Sequence, residues 1–89
     1  MAIFVVNHDV KDFNTWKKGY DDFHSINSSF GIKDHFVIQS AENPNNVTVV
    51  GEGSLENIQK LMGSDDLKNA MQEAGVISKP VAYIGENRI

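Results

Sequence analysis

Hydrophobic and polar positions along the chain follow two periods, one typical of strands and the other of helices. Ala2 to His8 is rich in β-branched and aromatic residues and is apolar on both parities, which predicts a first strand covered on both faces. Asp12 then offers an N-cap for a first helix. We expect this helix to run from about Phe13 to Ile26, since apolar residues recur there at steps of three and four: Phe13, Trp16, Tyr20 and Phe23.

The second half of the chain predicts a hairpin, a broken helix and a last strand. Ile32 to Ser40 and Val47 to Gly53 predict two strands, and the turn between them is rich in Asn and Pro. Ser54 caps a second helix, whose apolar stripe is interrupted at Gly63-Ser64 and then resumes. The last strand begins near Val81.

The order β-α-β-β-α-β predicts a ferredoxin-like α+β fold with an antiparallel sheet, as a single domain over residues 1–89. This fold places its helices on one face of the sheet and leaves the other face bare. A chain of 89 residues has a small core, and it has no cysteine to form a disulfide. Because the first strand is apolar on both parities, we expect a homodimer in which a second copy covers the bare face.

Charge and composition limit the kinds of partner and the cellular location that we expect for this chain. The chain carries 8 Lys and Arg against 12 Asp and Glu, and its cations are scattered apart from Lys17-Lys18. Phosphate backbones are bound by clustered cations, so we expect no nucleic-acid partner. The apolar opening segment is shorter than a signal peptide or a membrane span requires. We therefore expect no membrane association and a cytoplasmic location.

Five polar or aromatic side chains are candidates for chemistry, and each has an alternative structural role. His8 ends the first strand, where it is a general base at the mouth of a pocket or a strand-end residue that bonds locally. Trp16 and Tyr20 share one helical stripe, so they are core residues first and walls for a flat ligand second. His24 is expected on a solvated face, and His35 at a sheet edge or dimer contact.

The sequence gives little support for a metal site or for other catalytic motifs. In this topology His8 lies near Trp16, whereas His24 lies about 12 Å further along the helix axis, from eight residues at 1.5 Å each. A metal site formed by three histidines of one chain is therefore not expected, although a site bridging two subunits remains open. The chain has no thiol nucleophile, and it shows no nucleophile elbow, phosphate loop or dinucleotide glycine pattern.

One series of residues extends over nearly the whole chain. It comprises Val-Asn-His at the end of the first strand, then Val10-x-Asp12-Phe13-x-x-Trp16-Lys17-x-x-Tyr20-Asp21, Gly31, Asn43-Pro44-Asn45, Ser54-Leu55-Glu56 and Ser64-x-x-Leu67-x-x-Ala70-Met71-x-x-Ala74-Gly75-Val76. This series resembles small proteins of the dimeric α+β barrel superfamily, which includes antibiotic-biosynthesis-monooxygenase-like domains. The resemblance implies two sheets facing each other as a barrel. The superfamily also includes cofactor-free monooxygenases, haem-degrading enzymes and isomerases.

The resemblance implies a small-molecule site with His8 as the catalytic residue and with Asn7, Trp16 and Tyr20 as ligand-binding residues. Haem-degrading members use an asparagine late in the first strand, which Asn7 matches, together with a later tryptophan and histidine. No tryptophan follows Trp16 and no histidine follows His35, so haem degradation is set aside. The implied activity is oxidation or isomerisation of a small organic molecule without a cofactor. The alternative is a non-catalytic ligand-binding or interaction module of the same fold.

Overall fold

The computed structural model describes residues 1–89, which form four strands and four helices. The strands are β1 (Ala2–Asp9), β2 (Lys33–Gln39), β3 (Asn46–Gly53) and β4 (Val81–Glu86), and the helices are α1 (Phe13–Asp22), α2 (His24–Ser29), α3 (Leu55–Met62) and α4 (Asp65–Glu73). The strands form one sheet in the order β2-β3-β1-β4, and every neighbouring pair is antiparallel. The predicted ferredoxin-like α+β arrangement is confirmed.

The first helix differs from its prediction because it is divided at Phe23. The backbone N–H of Phe23 donates to the carbonyls of both Gly19 and Tyr20 at 3.1 Å, and the N–H of Ile26 donates to Phe23 at 3.0 Å. Bonds to the third residue back tighten the turn, so the chain ends α1 there and begins α2. The apolar stripe continues through this turn, which is why the sequence pattern predicts one helix.

The break in the second helix lies where the sequence predicts it. Helix α3 ends at Met62, and the Ser64 hydroxyl accepts a hydrogen bond from the Leu67 N–H at 3.2 Å to cap α4. The Ser54 hydroxyl caps α3 in the same way, accepting from the Asn57 N–H at 3.1 Å. Each cap satisfies an N–H that has no partner within its own helix.

Side chains of β1 alternate strictly between the two faces of the sheet. Phe4, Val6 and His8 are buried on the face that the helices cover, which we call the inner face. Ile3 and Val5 lie on the opposite, outer face and are half-buried. The hydrophobic core occupies the space between the inner face and the helices, and its buried members are Ala2, Phe4, Val6, Val10, Trp16, Phe23, Ile32, Val47, Val49, Ile58, Leu61 and Ala74.

The outer face carries large apolar side chains that nothing in the chain covers. Phe36 and Ile38 of β2 are 63% and 49% exposed, and Val81 and Tyr83 of β4 are 71% and 72% exposed. The pairing register shifts between Asp34 and Phe36, which is the mark of a β-bulge. We call the side chains of Phe36, Ile38, Val81 and Tyr83 the outer patch. Phe36 and Tyr83 lie on opposite edge strands, and Val50 and Val5 lie between them in register, so an apolar row crosses the outer face. Large exposed apolar surfaces are typical of interaction sites.

Gly51 provides the space into which a core aromatic ring fits. It pairs with Phe4, and a Cβ at position 51 would lie 2.5 Å from the Phe4 Cζ atom and 3.0 Å from the Lys33 carbonyl oxygen. We expect Gly51→Ala to lower the free energy of unfolding by about 1–3 kcal/mol because the ring and β2 must move. Gly63→Ala is the control, since its Cβ would meet nothing closer than 3.5 Å. Equal urea midpoints for the two variants would contradict this explanation.

Candidate functional site

A cavity of about 70 Å³ lies between the inner face of the sheet and the helices, and it is partly open to solvent. Twelve of its 16 lining residues are hydrophobic. Polar atoms reach it from four side chains, namely His8, Tyr20, Asn27 and Asp34. A mainly apolar cavity with a few convergent polar groups is the usual form of a small-molecule site.

His8 enters the cavity from the end of β1 on the inner face. Its ring meets the Trp16 ring edge to face, with centroids 5.5 Å apart and an angle of 70°. The side chain is only 3% exposed, and Nδ1 has no hydrogen-bond partner. Burial lowers the pKa of His8 below its usual 6.5, against smaller opposing effects of its backbone and of Asp9. The imidazole is therefore neutral at neutral pH and can exchange a proton with a ligand.

Trp16 and Tyr20 lie one turn apart on α1 and form the aromatic wall of the cavity. Their rings stack with centroids 5.2 Å apart. Trp16 is 4% exposed and belongs to the core, and it also lines the cavity. The Tyr20 hydroxyl is buried without a hydrogen-bond partner. Burial first, and then the Asp34 and Asp21 carboxylates, raise the pKa of Tyr20 well above 10. Tyr20 thus remains a protonated phenol.

Asp34 was not among the site residues predicted from the sequence. It lies on the inner face of β2 beside the bulge, opposite Gly51. Its Oδ2 atom is 3.3 Å from His24 Nδ1, whereas Oδ1 is buried without a partner. The Asp34 carboxylate acts on the Tyr20 hydroxyl as a neighbouring hydrogen-bond acceptor and through its charge, and both effects raise the pKa of Tyr20, although the two groups lie outside full hydrogen-bond geometry. The only sequence signal was a charged residue that interrupts an otherwise strand-like segment.

Asn27 is the other polar residue that lines the cavity and is absent from the predicted site. It is 6% exposed and lies in α2. The predicted first helix ended at Ile26, one residue before it. The turn at Phe23 continues the chain into α2 and brings this amide over the cavity.

Asn7 lies on the outer face, away from the cavity. Its amide donates to Asn46 Oδ1 and Thr48 Oγ1, both at 2.9 Å, and its carbonyl accepts from Asn46 Nδ2 at 3.1 Å. Successive residues of a strand point to opposite faces, so Asn7 and His8 cannot share one side of β1. The structure brings His8, Trp16 and Tyr20 together and separates Asn7 from them.

The three histidines lie apart. His8 is on the inner face, His24 is 67% exposed on α2, and His35 Nε2 lies 2.9 Å from Glu52 Oε1 at the sheet. No group of three or more His, Asp or Glu side chains is placed to hold a metal ion. None of the helices is both long enough and apolar enough to cross a membrane.

Several solved structures share this fold. SnoaB, a cofactor-independent oxygenase from Streptomyces nogalater, matches with a TM-score of 0.73 and 10% identity over 99% of this chain and 93% of that chain. An antibiotic biosynthesis monooxygenase matches with a TM-score of 0.71 and 6% identity over 98% of each chain. A dimeric ferredoxin-like protein from an uncultured marine organism matches with a TM-score of 0.64 and 13% identity over 100% of this chain and 96% of that chain.

The comparisons define the class of fold. No protein-family model matches the chain, and no curated protein matches it. The structural neighbours confirm that the chain shares its fold with antibiotic-biosynthesis-monooxygenase-like proteins. At these identities the likeness concerns the backbone, so the chemistry must be argued from the cavity itself.

The buried state of His8 predicts a pH dependence of stability. The unfolded chain binds a proton at His8 near pH 6.5, whereas the folded chain binds it only at a lower pH. The free energy of unfolding should therefore fall as the pH is lowered through 6.5 and stop falling below the folded-state pKa. Urea titrations at several pH values should show a flatter profile for His8→Gln. Equal profiles for wild type and His8→Gln would contradict the assignment.

Proposed function

We propose that the chain binds a small, mostly apolar organic molecule in the cavity and oxidises it without a cofactor. The observation that carries this proposal is the convergence of three buried polar atoms without partners, His8 Nδ1, the Tyr20 hydroxyl and Asp34 Oδ1. Leaving such an atom unpaired costs about 1–3 kcal/mol. Three of them around one cavity are explained together if a ligand, or water that the ligand displaces, completes their hydrogen bonds.

The size of the cavity limits how a ligand enters. About 70 Å³ corresponds to roughly five water-sized spheres, which is less than an aromatic ring requires. Met62 and Met71 form part of the wall, and unbranched methionines repack at low cost. We infer that these two side chains move when a ring binds against the stacked face of Trp16 and Tyr20.

Each polar group has a role suited to oxidation without a cofactor. A neutral His8 can take a proton from a C–H group of the substrate. The anion passes an electron to dioxygen, the resulting radical and superoxide combine, and the peroxide takes the proton back from His8. Loss of water from this hydroperoxide leaves a carbonyl group on the substrate. Tyr20 can donate a hydrogen bond to the oxygen atom where negative charge develops. The fold shared with SnoaB, a cofactor-independent oxygenase, supports this class of reaction.

We further propose that the protein is a homodimer assembled through the outer face. The outer patch supports this assembly, as do Val5 and Val50, which pair at the centre of the sheet. Covering these side chains removes apolar surface from water, at roughly 25 cal/mol for each Å². One neighbour of the same fold is itself dimeric.

A charge in the outer patch should dissociate the proposed dimer. Phe36 is 63% exposed, so Phe36→Glu leaves the core of one chain intact but places a carboxylate in the interface. Light scattering should give the mass of two chains for the wild type and of one chain for this variant. Leu55→Glu is the control, since Leu55 is 51% exposed but lies on α3, away from the outer face. A wild-type protein that is monomeric at micromolar concentration would overturn the proposal.

Filling the cavity and removing its base should have separable effects on activity. Ala70 lines the cavity, so Ala70→Leu should abolish substrate binding, whereas Ala41→Leu in the exposed loop before β3 should not. His8→Gln should bind substrate but lower kcat about a hundredfold. The assay is dioxygen uptake with small hydroquinones and no added cofactor. Binding that depends on residue 70 with no dioxygen uptake would favour the non-catalytic binding module instead.

A further inference from the structure

The two oxygens of the Asp34 carboxylate lie in different surroundings. Oδ2 is 3.3 Å from Nδ1 of His24, whose ring is largely in solvent. Oδ1 is buried at the cavity and has no partner in the chain. An ionised carboxylate accepts hydrogen bonds and donates none. The Tyr20 hydroxyl is the donor of the chain that interacts with Asp34, but it does not reach hydrogen-bond geometry with Oδ1. Oδ1 is therefore an acceptor that a donor group on a ligand can complete.

His24 contacts the Asp34 carboxylate from the solvent side and keeps it in place. Because the carboxylate can only accept, the contact with Oδ2 assigns the imidazole proton to Nδ1. Nε2 is then an acceptor, and it lies 3.5 Å from the Ser28 hydroxyl on the next turn of α2. With Oδ2 engaged at the surface, rotation of the carboxylate is restricted and Oδ1 stays at the cavity.

The charge of the cavity is negative. Its lining contains Asp34 but no Lys or Arg. Lys17 lies outside the lining, with its Nζ 6.0 Å from the centroid of the Tyr20 ring, and it forms an ion pair with Asp21. A carboxylate or phosphate entering the cavity would meet Asp34 in apolar surroundings without a compensating charge.

We propose that Asp34 determines the specificity of the cavity. Its Oδ1 atom selects uncharged ligands that carry an O–H or N–H donor, and its charge rejects anions. His24 is the positioning residue that holds the Asp34 carboxylate in place. This inference rests on the small-molecule site proposed above. It assigns a binding role to Asp34 and a supporting role to His24. The sequence alone did not predict Asp34 as a site residue.

Pyrrole and furan form a matched pair of probes for this role. Both are uncharged five-membered rings of nearly equal size, but only pyrrole carries an N–H donor. Trp16 is the single tryptophan and lines the cavity, so its fluorescence reports occupancy directly. We expect the wild type to bind pyrrole about tenfold more tightly than furan, as a hydrogen bond to a charged group allows. We expect 2-furoate, which carries a carboxylate on the same ring, to bind more weakly than furan.

Asp34→Asn preserves the shape of the side chain and removes its charge. In this variant the pyrrole-to-furan preference should fall towards one, and binding of 2-furoate should strengthen relative to furan. Asp22→Asn is the control, because Asp22 is an exposed carboxylate at the end of α1 and does not line the cavity. It removes the same net charge and should leave all three affinities unchanged.

Two variants test whether His24 positions Asp34. His24→Ala removes the partner of Oδ2 and should reduce the pyrrole preference, since the carboxylate is then free to turn to solvent. His24→Asn restores an N–H donor at a position close to Nδ1 and should recover the preference. A contribution of His24 to overall stability alone would not change this ratio. Equal ratios for the two variants would overturn the positioning role.

The outcomes distinguish this inference from the proposed function. If furan and pyrrole both bind at Trp16 with equal affinity in the wild type, the role of Asp34 is overturned while the small-molecule site stands. If the ratios of Asp34→Asn match those of Asp22→Asn, the role is likewise overturned. If none of the three probes perturbs Trp16 at millimolar concentration, the proposed site fails and the specificity inference fails with it.

Discussion

The two-residue period of β1 is the constraint on which the rest of the structure depends. This strand pairs with both β3 and β4, so its alternation assigns side chains to the two faces across the centre of the sheet. Phe4 and Val6 build the core on the inner face, and His8 continues the same row to the cavity. Ile3 and Val5 belong to the outer face. One strand therefore anchors the core, supplies a candidate base and contributes apolar side chains to the outer face.

Helix α1 closes the core, but it also limits how well the core is packed. Trp16 fills space against the sheet, but one turn later Tyr20 introduces a hydroxyl that nothing in the chain satisfies. Fully apolar packing at Tyr20, His8 and Asp34 would remove the costs of desolvation at all three. A domain of 89 residues has little stability to give up. That these costs fall together at one cavity, and not across the core, is the physical argument for a site.

Much of this architecture could be predicted from the sequence because its signals are local. Alternation and helical stripes located the strands and helices, and the serine cap at Ser64 identified the broken second helix. The position of Asn7 follows from strand parity once His8 is placed inward, so the sequence contained the information that separates them. Asp34 is different, because the bulge beside it arises from pairing between β2 and β3, and within β2 it is marked only by a charged residue that interrupts a strand-like segment.

The candidate site is a property of tertiary packing. Its three unsatisfied atoms come from His8 on β1, Tyr20 on α1 and Asp34 on β2, which are distant elements of one small domain. No short segment contains two of them, so a motif search has nothing to find. The backbone is shared with the three neighbours described above at 6%, 10% and 13% identity, which means that the fold constrains few side chains. Function on such a scaffold is decided by which polar atoms reach the cavity, and here a carboxylate without a facing cation sets the chemistry that can enter.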